Sequence, residues 1–276
     1  MNHSTKKGAK AAYLTFILGA VLLVCFRMVL KLDFIDPQTG FYSTHSILDS
    51  AFHLIFAGFL LALLIFSYSG HQKFSQEPLP SMKPASATAT ILGMAIEFKA
   101  LTDSYKLFTQ LTGGEPFKTM DLLLTMVTLL ISVVTGVVMI VLAVNMGSDS
   151  LKGYSVSAVL VVTVLYQCLM LIERFTSRTS PVTISDDMLE VLMLVFAILF
   201  MMAQARIITR INLNKGYRLL EFSGYACALT ALVLLIPELF GILIGRLTFE
   251  AGRTPEFVYD IALMMYCAVF TRRATR

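Results

Sequence analysis

The chain has 276 residues, 57% of them hydrophobic and 14% charged, with a formal net charge of +4. A water-solvated domain of this size carries roughly 25% charged residues, so the composition excludes an ordinary soluble globule and points to a polytopic membrane protein. The basic residues stand at the ends of apolar runs, where they set orientation, and no basic patch is present to bind nucleic acid.

Crossing ~30 Å of hydrocarbon takes roughly 20 apolar residues in a helix. Long apolar runs at about 11–30, 50–69, 122–145, 154–173, 188–208 and 223–245 meet that requirement directly. Two more segments are less direct: 85–104 is long enough but carries Glu97, Lys99 and Asp103, and 256–271 is apolar but rises only about 24 Å. With the N-terminus inside and eight crossings, Lys6, Lys7, Lys10, Lys73, Lys83, Lys152, Arg210, Lys215, Arg218, Arg272, Arg273 and Arg276 all fall on the inner side. Removing the crossing at 85–104 would put the stretch NLNKGYR outside, against the positive-inside rule. The expected fold is therefore an all-α integral membrane protein, a single bundle of eight transmembrane helices over 1–276 with no soluble domain, both termini being cytoplasmic.

The first span follows Lys6, Lys7 and Lys10, and its length and lack of a small-residue cleavage site make it an uncleaved helix rather than a signal peptide. It leads into RMVLKLDFIDPQTGFYS, where Asp36-Pro37 starts a turn and Gly40 tolerates a positive φ, folding the loop back on the outer surface. Arg27 followed by Phe34-Ile35-Asp36-Pro37-Gln38-Thr39-Gly40 resembles a pattern in uncharacterised multi-span membrane proteins of Clostridia-type bacteria, an arginine preceding an F-D-x-x-T-G loop. Ile35 is inserted relative to that pattern. The resemblance implies a bacterial plasma-membrane protein and no particular activity.

At the start of the second span His45, Asp49 and His53 recur every four residues. His45 and His53 would be about 12 Å apart along a helix, too far to hold one small ion. Ser46 to Asp49 reads as a capping box, which leaves Asp49 and His53 as a pair one turn apart near the outer mouth.

The third span carries Glu97 just past the membrane centre, with Lys99 and Asp103 nearer the outside. A lone charge at that depth costs ~3 kcal/mol, so such residues face a bundle interior or a water cavity and find counter-charges. Lys99 and Asp103, four apart, can pair within the helix; Glu97 needs Arg27 of the first span, a cation or a proton. The fourth span offers Ser132, Thr135 and Gly136, small residues suited to tight packing. In the fifth, Tyr166 and Gln167 suit interhelix hydrogen bonds first and a hydrogen bond to a solute second, and Glu173-Arg174 reads as a surface pair.

The acids Asp121, Asp186, Asp187, Glu190, Glu256 and Asp260 stand at the starts of even-numbered spans, where helix N-termini favour negative charge. Glu221 beside Arg218 reads as an inner interfacial pair. In the seventh span Pro237 frees the Val233 carbonyl beside Glu238, and Gly241 with Gly245 forms GxxxG. The cysteines Cys25, Cys168, Cys227 and Cys267 lie inside apolar segments with no CxxC, and read as packing residues.

No nucleotide, hydrolase or metal-protease motif is present, so function must lie in the bundle or at its faces. The leading expectation is a small-solute or cation permease, or a membrane subunit of one, with Glu97 and Glu238 as cation- or proton-handling acids and Lys99, Asp103, His53 and Asp49 as further candidates. It implies no cofactor and no metal, and as partners the lipid bilayer with either a partner membrane protein or a homo-oligomer. The alternative is a non-enzymatic sensor or accessory subunit acting through helix–helix contacts. An intramembrane metal hydrolase would need three convergent ligands, and His3 and His71 lie on the opposite side from His45 and His53.

Overall fold

A computed structural model describes residues 3–34, 47–69, 82–113, 119–148, 155–177, 184–245 and 253–275. They contain eight α-helices: α1 (His3–Val29), α2 (Ile47–Ser69), α3 (Lys83–Gly113), α4 (Thr119–Gly147), α5 (Ser155–Ser177), α6 (Ile184–Ile208), α7 (Leu213–Leu243) and α8 (Thr254–Ala274). A π-helical turn over Leu30–Phe34 extends α1. His45, Ser46, His71 and the loop beyond Phe34 lie outside the described residues.

Five of these helices are long and apolar enough to cross a membrane, over Gly8–Leu32, Ile47–Ser69, Leu122–Gly147, Asp186–Ile208 and Leu213–Leu243. Their outward surfaces are apolar too: Leu54 is 75% exposed, Leu130 66% and Val144 65%. Large apolar surfaces of this kind mark membrane contact rather than water contact.

Two helices run past their expected limits. The α3 helix continues beyond 104 to Gly113 because nothing between Tyr105 and Thr112 breaks it; Gly113-Gly114 and Pro116 supply the stop. The α7 helix begins at Leu213 rather than near 223, because the connection from α6 is only Thr209–Asn212. It closes through two left-handed residues, Arg210 at φ 58° and Asn212 at φ 55°, and a backbone bond from the Ile211 N–H to the Arg206 carbonyl (2.9 Å). At its far end α7 stops at Leu243 and Gly245 takes φ +71°, donating its N–H to the Ile242 carbonyl. Gly245 is thus a chain-turning residue that only glycine adopts without strain, so the expected GxxxG packing face does not form.

Neighbour relations close a ring: α3 packs on α4, α4 on α5, α5 on α6, α6 on α7, α7 on α8 and α8 back on α3. The α1–α2 hairpin lies outside it, against α7. This gives α7 neighbours on most sides, and every residue from Ser223 to Ala231 is buried. The run is rich in alanine and glycine, whose small side chains let helices approach closely where no hydrophobic force separates helix from lipid. Several hydroxyls inside the bundle return to their own helix: Thr230 donates to the Ala226 carbonyl (2.8 Å), Ser223 to Leu219 (2.6 Å) and Thr135 to Ile131 (2.7 Å), while Ser86 of α3 donates across to the Ala143 carbonyl of α4 (2.7 Å).

Two buried tyrosines of α8, seven residues apart and so on one helix face, join neighbouring helices. The Tyr259 hydroxyl exchanges hydrogen bonds with the Gln167 amide of α5 (2.6 and 2.8 Å), and the Gln204 amide of α6 donates to the Tyr266 hydroxyl. Interhelix bonds of this kind contribute about 0.6 kcal/mol on average and up to about 1.7. Tyr259→Phe should therefore destabilise the bundle by roughly 1 kcal/mol, and Gln167→Leu in that background should add little. Thermal unfolding in detergent across the double-mutant cycle measures the coupling, and strictly additive effects would contradict the bond.

Candidate functional site: a polar pocket inside the ring

One end of the ring holds most of the buried charge. There the C-terminal halves of α3 and α5 meet the N-terminal ends of α4, α6 and α8. The face of α3 that looks inward repeats at Lys99, Asp103, Lys106 and Gln110, a spacing of four, three and four that follows one helical stripe. Lys99 is 5% exposed and donates to Asp103 Oδ2 at 2.6 Å; Lys106 approaches the other oxygen of Asp103 at 3.8 Å. The expected pairing within α3 forms, and it forms facing a cavity.

That cavity has a volume of about 210 Å³. Its floor is made by Tyr166 of α5 with Thr128 and Ser132 of α4, all buried, and its rim by the exposed Lys106 and Gln110. Leu107 and Leu129 supply apolar wall, while Glu173 and Glu256 supply acid. Three polar atoms of the lining are buried without a hydrogen-bond partner: the hydroxyls of Tyr166 and Thr128, and Oε2 of Glu173. Buried polar groups in folded proteins are nearly always satisfied, so three orphans around one cavity single it out.

Behind the pocket Arg174 turns inward instead of pairing with Glu173 at the surface. Its guanidinium lies 2.5 Å from Glu190 of α6 and 2.7 Å from Glu256 of α8, with the side chain 16% exposed. The reading of Glu173-Arg174 as a surface pair is corrected, because successive helical residues point about 100° apart: Arg174 reaches α6 and α8 while Glu173 faces the pocket. The acids at helix starts likewise have more to do than cap. Asp186 is held by both Arg27 (2.5 Å) and Lys31 (3.1 Å), which lie one turn apart at the end of α1.

Because Arg27 is taken by Asp186, it does not bridge Glu97. Glu97 instead lies in the α3–α4 contact, where a Cβ built on Gly136 would collide with its carboxylate, and Oε1 is buried without a hydrogen-bond partner. It is not among the residues lining the pocket. Glu238 stands near the end of α7 with Oε1 3.5 Å from Arg253. His53 Nδ1 lies 2.8 Å from the Asp49 carbonyl and 3.4 Å from the Asp49 carboxylate, at the start of α2 and away from the ring's interior. Glu221 does not pair with Arg218: its side chain is buried at the opposite end and Oε1 has no hydrogen-bond partner. Of the six sequence candidates, the structure brings only Lys99 and Asp103 together in the pocket.

Sequence reasoning missed Glu173 and Thr128 as pocket residues; of the pair Tyr166 and Gln167, Gln167 makes the interhelix bond, whereas the Tyr166 hydroxyl makes none and lines the pocket. A signal was available in α4, where Thr128, Ser132 and Thr135-Gly136 make a polar stripe at helical spacing inside an apolar span, and in the continuation of the α3 stripe to Gln110. The fold and site together define a helical protein of membrane type with a polar, charge-lined pocket at one end of its helix ring. No protein-family model matches the chain, and neither a curated protein nor a solved structure is similar to it.

Proposed function

We propose that the chain is an eight-crossing integral membrane protein of a bacterial plasma membrane, with cytoplasmic termini, and that it is a permease for a small solute or cation, or the membrane subunit of one. On this reading the pocket end of the ring is the outer side, Lys99 and Asp103 belong to the solute-facing wall, and Glu97 and Glu238 handle charge deeper in α3 and at the end of α7.

The observation that carries the reading is the pocket itself, a polar cavity with orphaned hydroxyls and carboxylate, lined by α4, which is of membrane type, and by the less apolar α3, α5 and α8, in a chain with five such apolar helices. Charged residues within membrane spans face cavities or bundle interiors and mark solute or ion pathways by default. The arrangement also supports crossing by α3, α5 and α8, which are less apolar than the other five: their charges at Lys99, Arg174 and Glu256 face one another inside the ring rather than lipid.

Reconstituted into proteoliposomes, the chain is expected to take up its solute above protein-free vesicles. Asp103→Asn, which removes the carboxylate shared by two lysines, should reduce that uptake roughly tenfold or more, the equivalent of one charge-assisted hydrogen bond. Uptake of no solute or cation above the protein-free level would overturn the proposal, and unchanged uptake in Asp103→Asn would remove the pocket from it. Glu97→Gln and Glu238→Gln test the other two acids in the same assay.

A further inference from the structure

The pocket holds one acid with no ion pair among the described residues, and that acid identifies the chemistry the pocket suits. Each of its cations is already engaged: Lys99 and Lys106 by Asp103, and Arg174, just behind, by Glu190 and Glu256. Arg253, near Glu256, is engaged by Glu238. What remains is Glu173, which lines the pocket, forms no ion pair among the described residues and keeps Oε2 buried without a hydrogen-bond partner. A carboxylate only accepts, whereas the orphaned hydroxyls of Tyr166 and Thr128 can accept as well as donate. The unfilled requirement is therefore for a positively charged group with several N–H or O–H donors.

Size and lining narrow this further. About 210 Å³ is several times the ~30 Å³ of a water molecule, far more than a bare ion occupies. A hard metal cation takes about six to eight oxygen ligands and no apolar wall. This pocket offers Leu107, Leu129 and the Tyr166 ring beside its acid. A protonated amine on a short hydrocarbon chain satisfies both halves.

We propose that the pocket binds a small primary amine in its protonated form, its ammonium donating to Glu173 and to the Tyr166 and Thr128 hydroxyls and its carbon chain lying against Leu107 and Leu129. The proposal rests on the permease reading for its physiological meaning, since it names the substrate class of that same site, but binding can be measured without transport.

The test uses the full chain purified in detergent, titrated calorimetrically with n-propylammonium chloride at constant ionic strength, with sodium chloride and tetramethylammonium chloride as controls. Saturable heat is expected with propylammonium and not with either control, because tetramethylammonium has no N–H to donate. Glu173→Gln should weaken binding by about tenfold or more, as expected for losing one charge-assisted contact. Glu173→Asp, keeping the charge, should bind more tightly than Glu173→Gln, and Tyr166→Phe should weaken binding a few-fold while the protein stays monodisperse. Absence of saturable binding at millimolar propylammonium would overturn the proposal, as would equal binding by Glu173→Gln or binding of sodium alone. Amine binding without uptake of any solute would leave this assignment standing and remove the permease. Uptake of a neutral or anionic solute with no amine binding would do the reverse.

Discussion

Replacing Arg174 by alanine is expected to have the largest effect of any single substitution in the bundle. The guanidinium joins α5 to Glu190 of α6 and Glu256 of α8 at 2.5 and 2.7 Å, so its removal takes from two acids, 11% and 28% exposed, the cation that they share. Breaking a buried ion pair from one side costs about 3–5 kcal/mol, because the charge left behind remains desolvated. Glu256 is the more exposed of the two and is partly relieved by solvent, so most of the penalty falls on Glu190. The expected outcome is a large drop in thermal unfolding temperature in detergent, with aggregation on size exclusion. Arg174→Lys should recover only part of the loss, since an ammonium is a point charge without the planar fork that reaches two carboxylates. The triple variant Arg174→Met, Glu190→Gln, Glu256→Gln should recover more, because it removes the stranded charges as well as the cation. An unfolding temperature unchanged by Arg174→Ala would refute the assigned role.

The second large effect is expected at the α3–α4 contact. Gly136 leaves room for the Glu97 carboxylate, and any Cβ there would collide with it. Overpacking a closed interface costs about 1–3 kcal/mol, and valine, with three extra carbons, belongs at the upper end. Gly136→Val should therefore destabilise the protein strongly, and Glu97→Ala in the same chain should relieve most of that loss by vacating the space. Glu97→Ala alone should cost less than Gly136→Val, because one carboxylate oxygen has no hydrogen-bond partner and what is lost is a single contact with the Val137 backbone. Unfolding measurements on the two single variants and the double variant decide the matter: additive losses would mean that the two side chains do not share this slot. The same cycle bears on function, since a Glu97 that acts only as a wedge should leave uptake intact when replaced by alanine beside a tolerated Gly136→Ala.

The outward apolar stripes of α1, α2 and α4 follow from the sequence, as do the helical character of all eight segments and the pairing of Lys99 with Asp103. These depend on composition and on contacts within one helix, which period and spacing report directly. Helix limits were less legible. The extension of α3 to Gly113 was hidden because hydropathy measures the length in lipid, and a helix continues into water as long as nothing breaks it. The early start of α7 was hidden because it hangs on two left-handed residues, one of them an arginine, which propensity does not favour.

The site divides in the same way. Lys99 and Asp103 stood out because charge inside an apolar run is conspicuous. Glu173 and Thr128 did not, because a residue near a span end reads as interfacial and a hydroxyl inside a span reads as satisfied by its own helix, and Tyr166 read first as a contact between helices. By itself the sequence determined that this chain is helical and apolar on its outer faces, and that a few ionisable groups lie where they need counter-charges. Only the tertiary structure decided which counter-charge each one meets: Arg27 goes to Asp186, Arg174 to Glu190 and Glu256, and Glu97 to the space left by Gly136. The reason is that every one of these contacts crosses between helices. Which helices become neighbours is set by the closing of the ring from α3 to α8, a relation that no spacing within a single helix encodes.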